Sequence, residues 1–379
     1  MAVGVRCFGG HADERDLGMA DFSTLAVHGG YNANRNDNAV SVPIYASAAF
    51  DLENAARGRD LAAGEISGFE YSRVANPTVD ALERRLAALE GGVSAVAVSS
   101  GMAAVSYALM CAGEGGGRII APTNLYGASV DALGDFLPQF ASTLISSRTS
   151  TTCMRSISDR SRDPCHLRRD GRQPEHRHHR YSSAGRSGAP ARAGADSRQH
   201  RADAVPAAPD RIRRRHRCAF DHQGHHRAWQ RIGGVIVDAG RFDWANGRFL
   251  QFTRPEQVIA DIDGNRRSFS GAFGSEAFIR RIRVKYLRTF GAVQSPFNAY
   301  LQLIGLETLP QRVARQVETA TAIAGHLEHT PHVVSVNYSG LPDSPYHALA
   351  GKYFPRASAR SSRSRWKAAR TVCAASSTA

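Results

Sequence analysis

Lysine is nearly missing from this chain. Of 48 basic residues only Lys285, Lys352 and Lys367 are lysines, so chemistry that needs a side-chain amine has three candidates, none before position 285. The six cysteines form no paired framework and no metal-type spacing, which excludes a disulfide scaffold and suits a reducing cytoplasm. No apolar run is long enough to span a bilayer, so neither a transmembrane helix nor a membrane partner is expected. Residues 1–18 carry acids early and lack a continuous apolar stretch. They read as a floppy extension rather than a secretion signal, with Met19 as the more natural start.

Acidic residues are scarce where arginine is dense. Residues 142–231 hold 20 Arg, no Lys and 8 acids, and residues 356–379 hold five Arg and Lys367 with no acid. These blocks carry +12 and +6, so of the net +14 the rest of the chain holds −4. Such basicity ordinarily suggests nucleic acid as a partner. Here it lacks a recognisable module and interleaved aromatics, so no nucleic-acid partner is expected. Residues 142–231 contain only seven Leu, Ile, Val or Phe beside nine His. So little to bury cannot offset the ordering entropy, which predicts a disordered, strand-poor segment. His176, His178 and His179 with Cys165 have poor ligand spacing and no Cys pair, so no metal site is expected.

The other stretches are consistently patterned. Asn76-Pro77 opens a helix, Val79, Leu82, Leu86 and Leu89 follow at helical spacing, and Gly91-Gly92 ends it. Val93 to Val98 reads as a buried strand ending at Ser99-Ser100-Gly101, a helix starts at Met102, and Arg118 to Ala121 reads as another strand. Alternating strands and helices make this an α/β chain with a parallel sheet. From Ile232 the pattern returns in IGGVIVDAGRFDW. An amphipathic helix follows around 278–290, then a helix with a strong apolar face in QSPFNAYLQLIGLETL.

A strand ending in Ser-Gly at a helix start offers unspent amides and the positive helix end to an anion. Alone, such a turn is common, and a surface Tyr-Arg pair or a core tyrosine is equally ordinary. Order and spacing say more. Tyr71-Ser72-Arg73, Asn76-Pro77-Thr78, LEGG, Ser99-Ser100-Gly101-Met102 and Asn124-Leu125-Tyr126-Gly127 follow one another. This series resembles the Cys/Met-metabolism pyridoxal-phosphate family. GRFDWANGRFLQF and SPFNAYLQLIGLETL resemble its sulfhydrylase branch, and the resemblance covers residues 21–140 and 232–355.

The resemblance implies a fold-type I α/β transferase, aspartate-aminotransferase-like, with a mostly parallel sheet flanked by helices. It implies an N-terminal arm at 19–75, a cofactor domain at 76–260 and a truncated α+β C-terminal domain at 261–379. The implied cofactor is pyridoxal 5′-phosphate. Ser100, Gly101 and Met102 would meet its phosphate, and Tyr126 would stack on its ring. Tyr71 and Arg73 would reach the phosphate from a neighbouring subunit of a homo-oligomer, where a guanidinium suits a dianion. The implied reaction is sulfide replacing the acetate of O-acetylhomoserine. Cystathionine γ-synthase or lyase chemistry on the same scaffold is the alternative.

Two family features are absent. One is an aspartate in a strand like VDNT; the other is a Schiff-base lysine in a motif like HSTTKAITGHG, due near Cys218 to Ala228. Asp221 to His226 can be written GAC CAC CAA GGC CAT CAC, which from the second base gives Thr-Thr-Lys-Ala-Ile. Ala195 to Arg201, as GCT GAT TCT CGA CAA CAC CGT, likewise gives Leu-Ile-Leu-Asp-Asn-Thr. The tail from Arg356, read from each third base, resembles the family's C-terminal domain. The pattern is that of reading-frame slippage entering near Ala141, leaving near Ile232 and recurring near Arg356. The lysine codon then straddles Gln223 and Gly224, and the aspartate codon Arg198 and Gln199. The arginine that holds the substrate carboxylate in a motif like LVIHPAST is not met before Ala379 either. The expectation is therefore an empty catalytic set and no sulfhydrylase activity.

Overall fold

The computed structural model describes residues 20–114, 117–122, 125–140, 142–147, 216–219, 231–331, 333–353 and 363–366, with the backbone alone at 142–147, 216–219 and 363–366. The first elements start where a side chain can spend a free amide. Asp21 caps α1 (Phe22–His28) by accepting from the Thr24 N–H at 2.8 Å, and Asn54 caps α2 (Ala55–Ala63). In α3 (Pro77–Glu90) the Asn76 side chain accepts from the Thr78 N–H at 3.0 Å, Pro77 loses no bond, and Gly91 ends the helix at φ 64°.

β1 (Ser94–Val98) then leads into α4 (Gly101–Gly113), and β2 (Gly117–Pro122) leads towards α5 (Gly127–Asp131), which continues as a π-helical turn at Ala132–Phe136. Next come β3 (Ser142–Ser147), β4 (His216–Ala219) and β5 (Gly234–Asp238). Short helices α6 (Leu250–Thr253) and α7 (Phe269–Phe273) precede α8 (Ala277–Arg281). α8 passes through a π-helical turn, Ile282–Leu287, into α9 (Arg288–Phe290). α10 (Pro296–Glu307) and α11 (Leu309–Glu328) follow. β6 (Val333–Asn337) pairs antiparallel with β7 (Arg363–Trp366), and α12 (His347–Tyr353) lies between them in sequence.

A mostly parallel sheet was expected; among the described strands one pair is parallel and the others are antiparallel. β2 pairs parallel with β3, Ile119 opposite Leu144. The order in the other sheet is β1-β5-β4, and β5 is antiparallel to both neighbours, with Ala97 opposite Val235 and Cys218 opposite Ile236. β1 and β4 therefore run the same way and β5 alone is reversed. Both faces of β1 and β5 are apolar, as in a sheet covered on two sides. Ala95, Ala97, Val235 and Val237 pack with Leu82, Leu86, Leu303 and Leu306, whereas Val96, Val98 and Ile236 pack with Tyr107, Phe252, Phe269 and Phe278. Trp244 stacks on Phe252 and Phe278 at 4.4 and 4.8 Å between centroids.

The sequence expectations need two adjustments. α4 starts at Gly101, one residue before Met102, because Ser100 is the capping residue. The arginine-rich block was expected to be strand-poor, yet it has a strand at each end, β3 and β4, hydrogen-bonded to the well-patterned β2 and β5. The reason is that a ladder needs only backbone groups, and those partners supply them. Residues 1–18, Cys165, His176, His178, His179, Arg198, Gln199, Gln223, Gly224 and Lys367 lie outside the described residues. Among the described residues no helix is long and apolar enough to cross a membrane.

Candidate functional site

β1 delivers the chain into a turn whose every residue has a stated constraint. The Ser99 N–H donates to the Ala292 carbonyl at 2.9 Å, and Val98 forms a bridge with Val293. The Ser100 hydroxyl accepts from the Ala103 N–H at 3.1 Å, capping α4. The amides of Gly101 and Met102, one step earlier, have no acceptor within the helix and lie at its positive end. Gly234 sits directly against this turn: a Cβ there would overlap the Ser100 carbonyl oxygen, so β5 can approach only as glycine.

Beyond β2, Tyr126 precedes the first turn of α5, and its ring is about half exposed. The Ser129 hydroxyl donates to the Met102 sulfur at 3.7 Å, which sets the start of α5 beside the start of α4. Ser100, Gly101, Met102 and Tyr126 are thus brought to one place, by the ends of two strands.

Tyr71 and Arg73 sit elsewhere, on the loop before α3. The Arg73 guanidinium lies 5.3 Å from the Tyr71 ring centroid, and both side chains are exposed. Arg73 donates to the Arg288 carbonyl. Their tie to the Ser99–Met102 turn is indirect, through the segment from Arg288 to Val293 that touches both.

Sequence reasoning missed a heavily charged cluster at the other end of α4. Arg281 is fully buried, donates to Glu114 at 2.5 Å and to Glu256 at 2.8 Å, and lies over the Phe252 and Phe269 rings. Lys285 joins the same two carboxylates at 2.8 and 3.0 Å, and the Tyr286 hydroxyl donates to Glu114 at 2.8 Å. Burial pushes the Glu114 carboxyl up, but hydrogen bonds from Lys285, Arg281 and Tyr286 and the Arg281 charge outweigh it, holding the group at about 2. Burial raises the neighbouring Cys111 thiol and the Tyr286 hydroxyl far above their ordinary values. A second buried pair joins Arg283 to Glu83 at 2.5 Å; there burial prevails and leaves the Glu83 carboxyl raised. FIRRIRVKY announces the cations, but Glu114 stands 167 residues from Arg281, and no local pattern reports that.

This cluster decides whether Lys285 can serve a cofactor. The 13 residues of α4 span roughly 20 Å at the helical rise, and Lys285 is held at the far end from Gly101. The unspent amides at the start of α4 and the exposed Tyr126 ring suit pyridoxal phosphate. Lys285, the one lysine whose side chain is described, does not suit its aldehyde.

A family model described as Cys/Met metabolism PLP-dependent enzyme matches residues 23–161 and 223–363, and its break falls inside the arginine-rich block. A sulfhydrylase of Fusarium oxysporum f. sp. lycopersici is 33% identical over 353 residues, covering 89% of this chain and 77% of its own. An O-acetyl-L-homoserine sulfhydrylase of Thermus thermophilus is 32% identical over 354 residues, covering 88% and 78%. The crystal structure of an O-acetylhomoserine (thiol)-lyase from Campylobacter jejuni aligns with a TM-score of 0.69 at 25% identity. The alignment covers 89% of this chain and 83% of that one, which carries a pyridoxyl-lysine monophosphate. With the strand order, the capped turn and these likenesses together, the chain belongs to the Cys/Met metabolism PLP-dependent enzyme family and has its fold-type I α/β architecture.

Proposed function

We propose that the chain has the scaffold of an O-acetylhomoserine sulfhydrylase, the enzyme type that makes homocysteine and acetate from O-acetylhomoserine and sulfide, and that this polypeptide binds the cofactor without completing the reaction. The observation that carries the reading is the Ser99–Met102 turn, capped by Ser100, closed from below by Gly234 and placed beside Tyr126. Its amides suit the phosphate dianion at a helix start, and Tyr126 offers a face for the pyridine ring. When bound, pyridoxal phosphate supplies an electron sink for an amino-acid substrate.

The described residues of the chain then bind and orient, and none of the described side chains named above is placed to move protons there. Lys285 is spent on Glu114 and Glu256. Gln223 is a neutral amide, Gly224 has no side chain, and neither Arg198 nor Gln199 offers a carboxylate to a protonated ring nitrogen. Slippage of the reading frame accounts for all of these losses at once, and the break in the family match between 161 and 223 supports it. The exposed Tyr71 and Arg73 are assigned to a neighbouring subunit's phosphate, which makes intact relatives homo-oligomers, and the cysteine pattern favours a cytoplasmic setting. Cystathionine γ-synthase or lyase chemistry is the second reading; the sulfhydrylase names of the relatives above favour the first.

The test is to add pyridoxal phosphate to the purified chain, reduce with borohydride and map adducts. We expect no adduct on one defined lysine and no homocysteine from O-acetylhomoserine and sulfide, and both from a frame-corrected gene. A single-lysine adduct together with homocysteine would overturn the proposal.

A further inference from the structure

β1 stands at the edge of the β1-β5-β4 sheet, so every second residue turns its N–H and C=O away from β5. That open edge is closed by side chains. The Ala97 N–H donates to Glu83 at 2.7 Å, and Arg283 donates to the Ala95 carbonyl at 3.4 Å. The next outward amide, Ser99, is taken by Ala292. Arg283 also donates to Glu83 and, through its other terminal nitrogen, to the Val74 carbonyl at 3.1 Å. Val74 follows Arg73, which is itself tied to Arg288 five residues beyond Arg283.

One guanidinium thus holds the strand that delivers Ser99–Met102, the helix α3 and the Tyr71–Val74 loop. Side-chain exposure is 14% for Arg283 and 4% for Glu83. A pair this buried contributes little stability beyond what a well-packed apolar pair would give. A stabilising role alone therefore does not explain why its bonds go to the two segments that reach a phosphate.

We propose that Arg283 and Glu83 are positioning residues for anion binding, holding from one buried point both the Ser99–Met102 turn of the chain's own seat and the Tyr71–Arg73 loop that serves a neighbour's. This rests on the reading of that turn as the phosphate seat. The guanidinium fork matters because its two terminal nitrogens meet Val74 and Glu83 separately, whereas a lysine would have to serve both from one nitrogen.

The experiment uses the full chain and measures dissociation constants for pyridoxal 5′-phosphate and for pyridoxal, together with amide hydrogen exchange at residues 97–103. Arg283→Met and Glu83→Gln should weaken pyridoxal phosphate by about tenfold or more, leave pyridoxal unchanged and speed exchange at 97–103. Arg283→Lys should fall between. Lys285→Met, on the same helix but at the far end of α4, should leave both readouts as in the unaltered chain. If the unaltered chain does not prefer pyridoxal phosphate over pyridoxal, the phosphate seat itself is refuted. If it does, and Glu83→Gln and Arg283→Lys bind and exchange like it, the positioning role is refuted. These milder variants decide the matter even where Arg283→Met fails to fold.

Discussion

The two ends of α4 are built on opposite plans. Its start is uncharged and capped once by Ser100, with two amides left unspent over a glycine that cannot carry a side chain. Its end places Glu114 at the negative pole of the helix, a charge that the dipole alone disfavours, and surrounds it with Arg281, Lys285 and Tyr286. One end keeps its hydrogen-bonding capacity for something absent from the chain. The other consumes it internally. On the proposed reading the same helix separates stability from binding over its length, and substitutions at the two ends should affect different measurements.

The largest effect is expected at the crowded end. Glu114→Ala leaves the fully buried Arg281 with Glu256 as its remaining acid, and should lower unfolding stability by about 3 kcal/mol in urea denaturation. The sign with pH follows from the depressed carboxyl: its contribution is complete above the usual carboxylate range and fades as pH falls towards about 2. The unaltered chain should thus lose stability between those limits, and Glu114→Ala should lose less there. Pyridoxal phosphate affinity of the folded variant should not change. A parallel loss of affinity would break the separation.

A smaller loss, about 1–3 kcal/mol from overpacking, is expected for Gly234→Ala, because the added Cβ must push the Ser100 carbonyl aside. Here binding should suffer more than stability, since the displaced atoms are those of the seat. Calorimetric melting beside cofactor titration reads both. Ser100→Ala is the mildest, roughly 1 kcal/mol for a lost helix cap. If it costs as much as Glu114→Ala, the open end is as structural as the crowded one.

Much of this was legible in the sequence, for local reasons. Asn76-Pro77, the spaced leucines and Gly91 specify α3 almost to the residue, because caps and periodicity act within a few positions. Ser99-Ser100-Gly101 announces the capped start of α4 for the same reason. Arg281 and Lys285 were visible as cations, but their partners come from Glu114 and Glu256, which only the fold brings together. The reversed sense of β5 was equally hidden: Gly-Val-Ile-Val-Asp reads the same in either direction of pairing, and its neighbours decide. β3 and β4 escaped notice because their block looks unable to bury a core, whereas their ladders draw on neighbours whose cores were already patterned.

β1 leaves the ribosome early, and of its supports only α3 with Glu83 has been made before it. Its ladder partner begins at Gly234, and the guanidinium that reaches Ala95 lies 188 residues downstream. Closing loops of that length costs entropy before any contact returns it, so folding through this strand is slow for topological reasons. The turn written near the front of the chain thus takes its cap from its own residues but its anchorage from Ala292 and Gly234. During synthesis the edge that will pair with β5 stays open until Gly234 emerges, and on the other side Ser99 waits for Ala292, so the strand is exposed meanwhile to pairing with other chains.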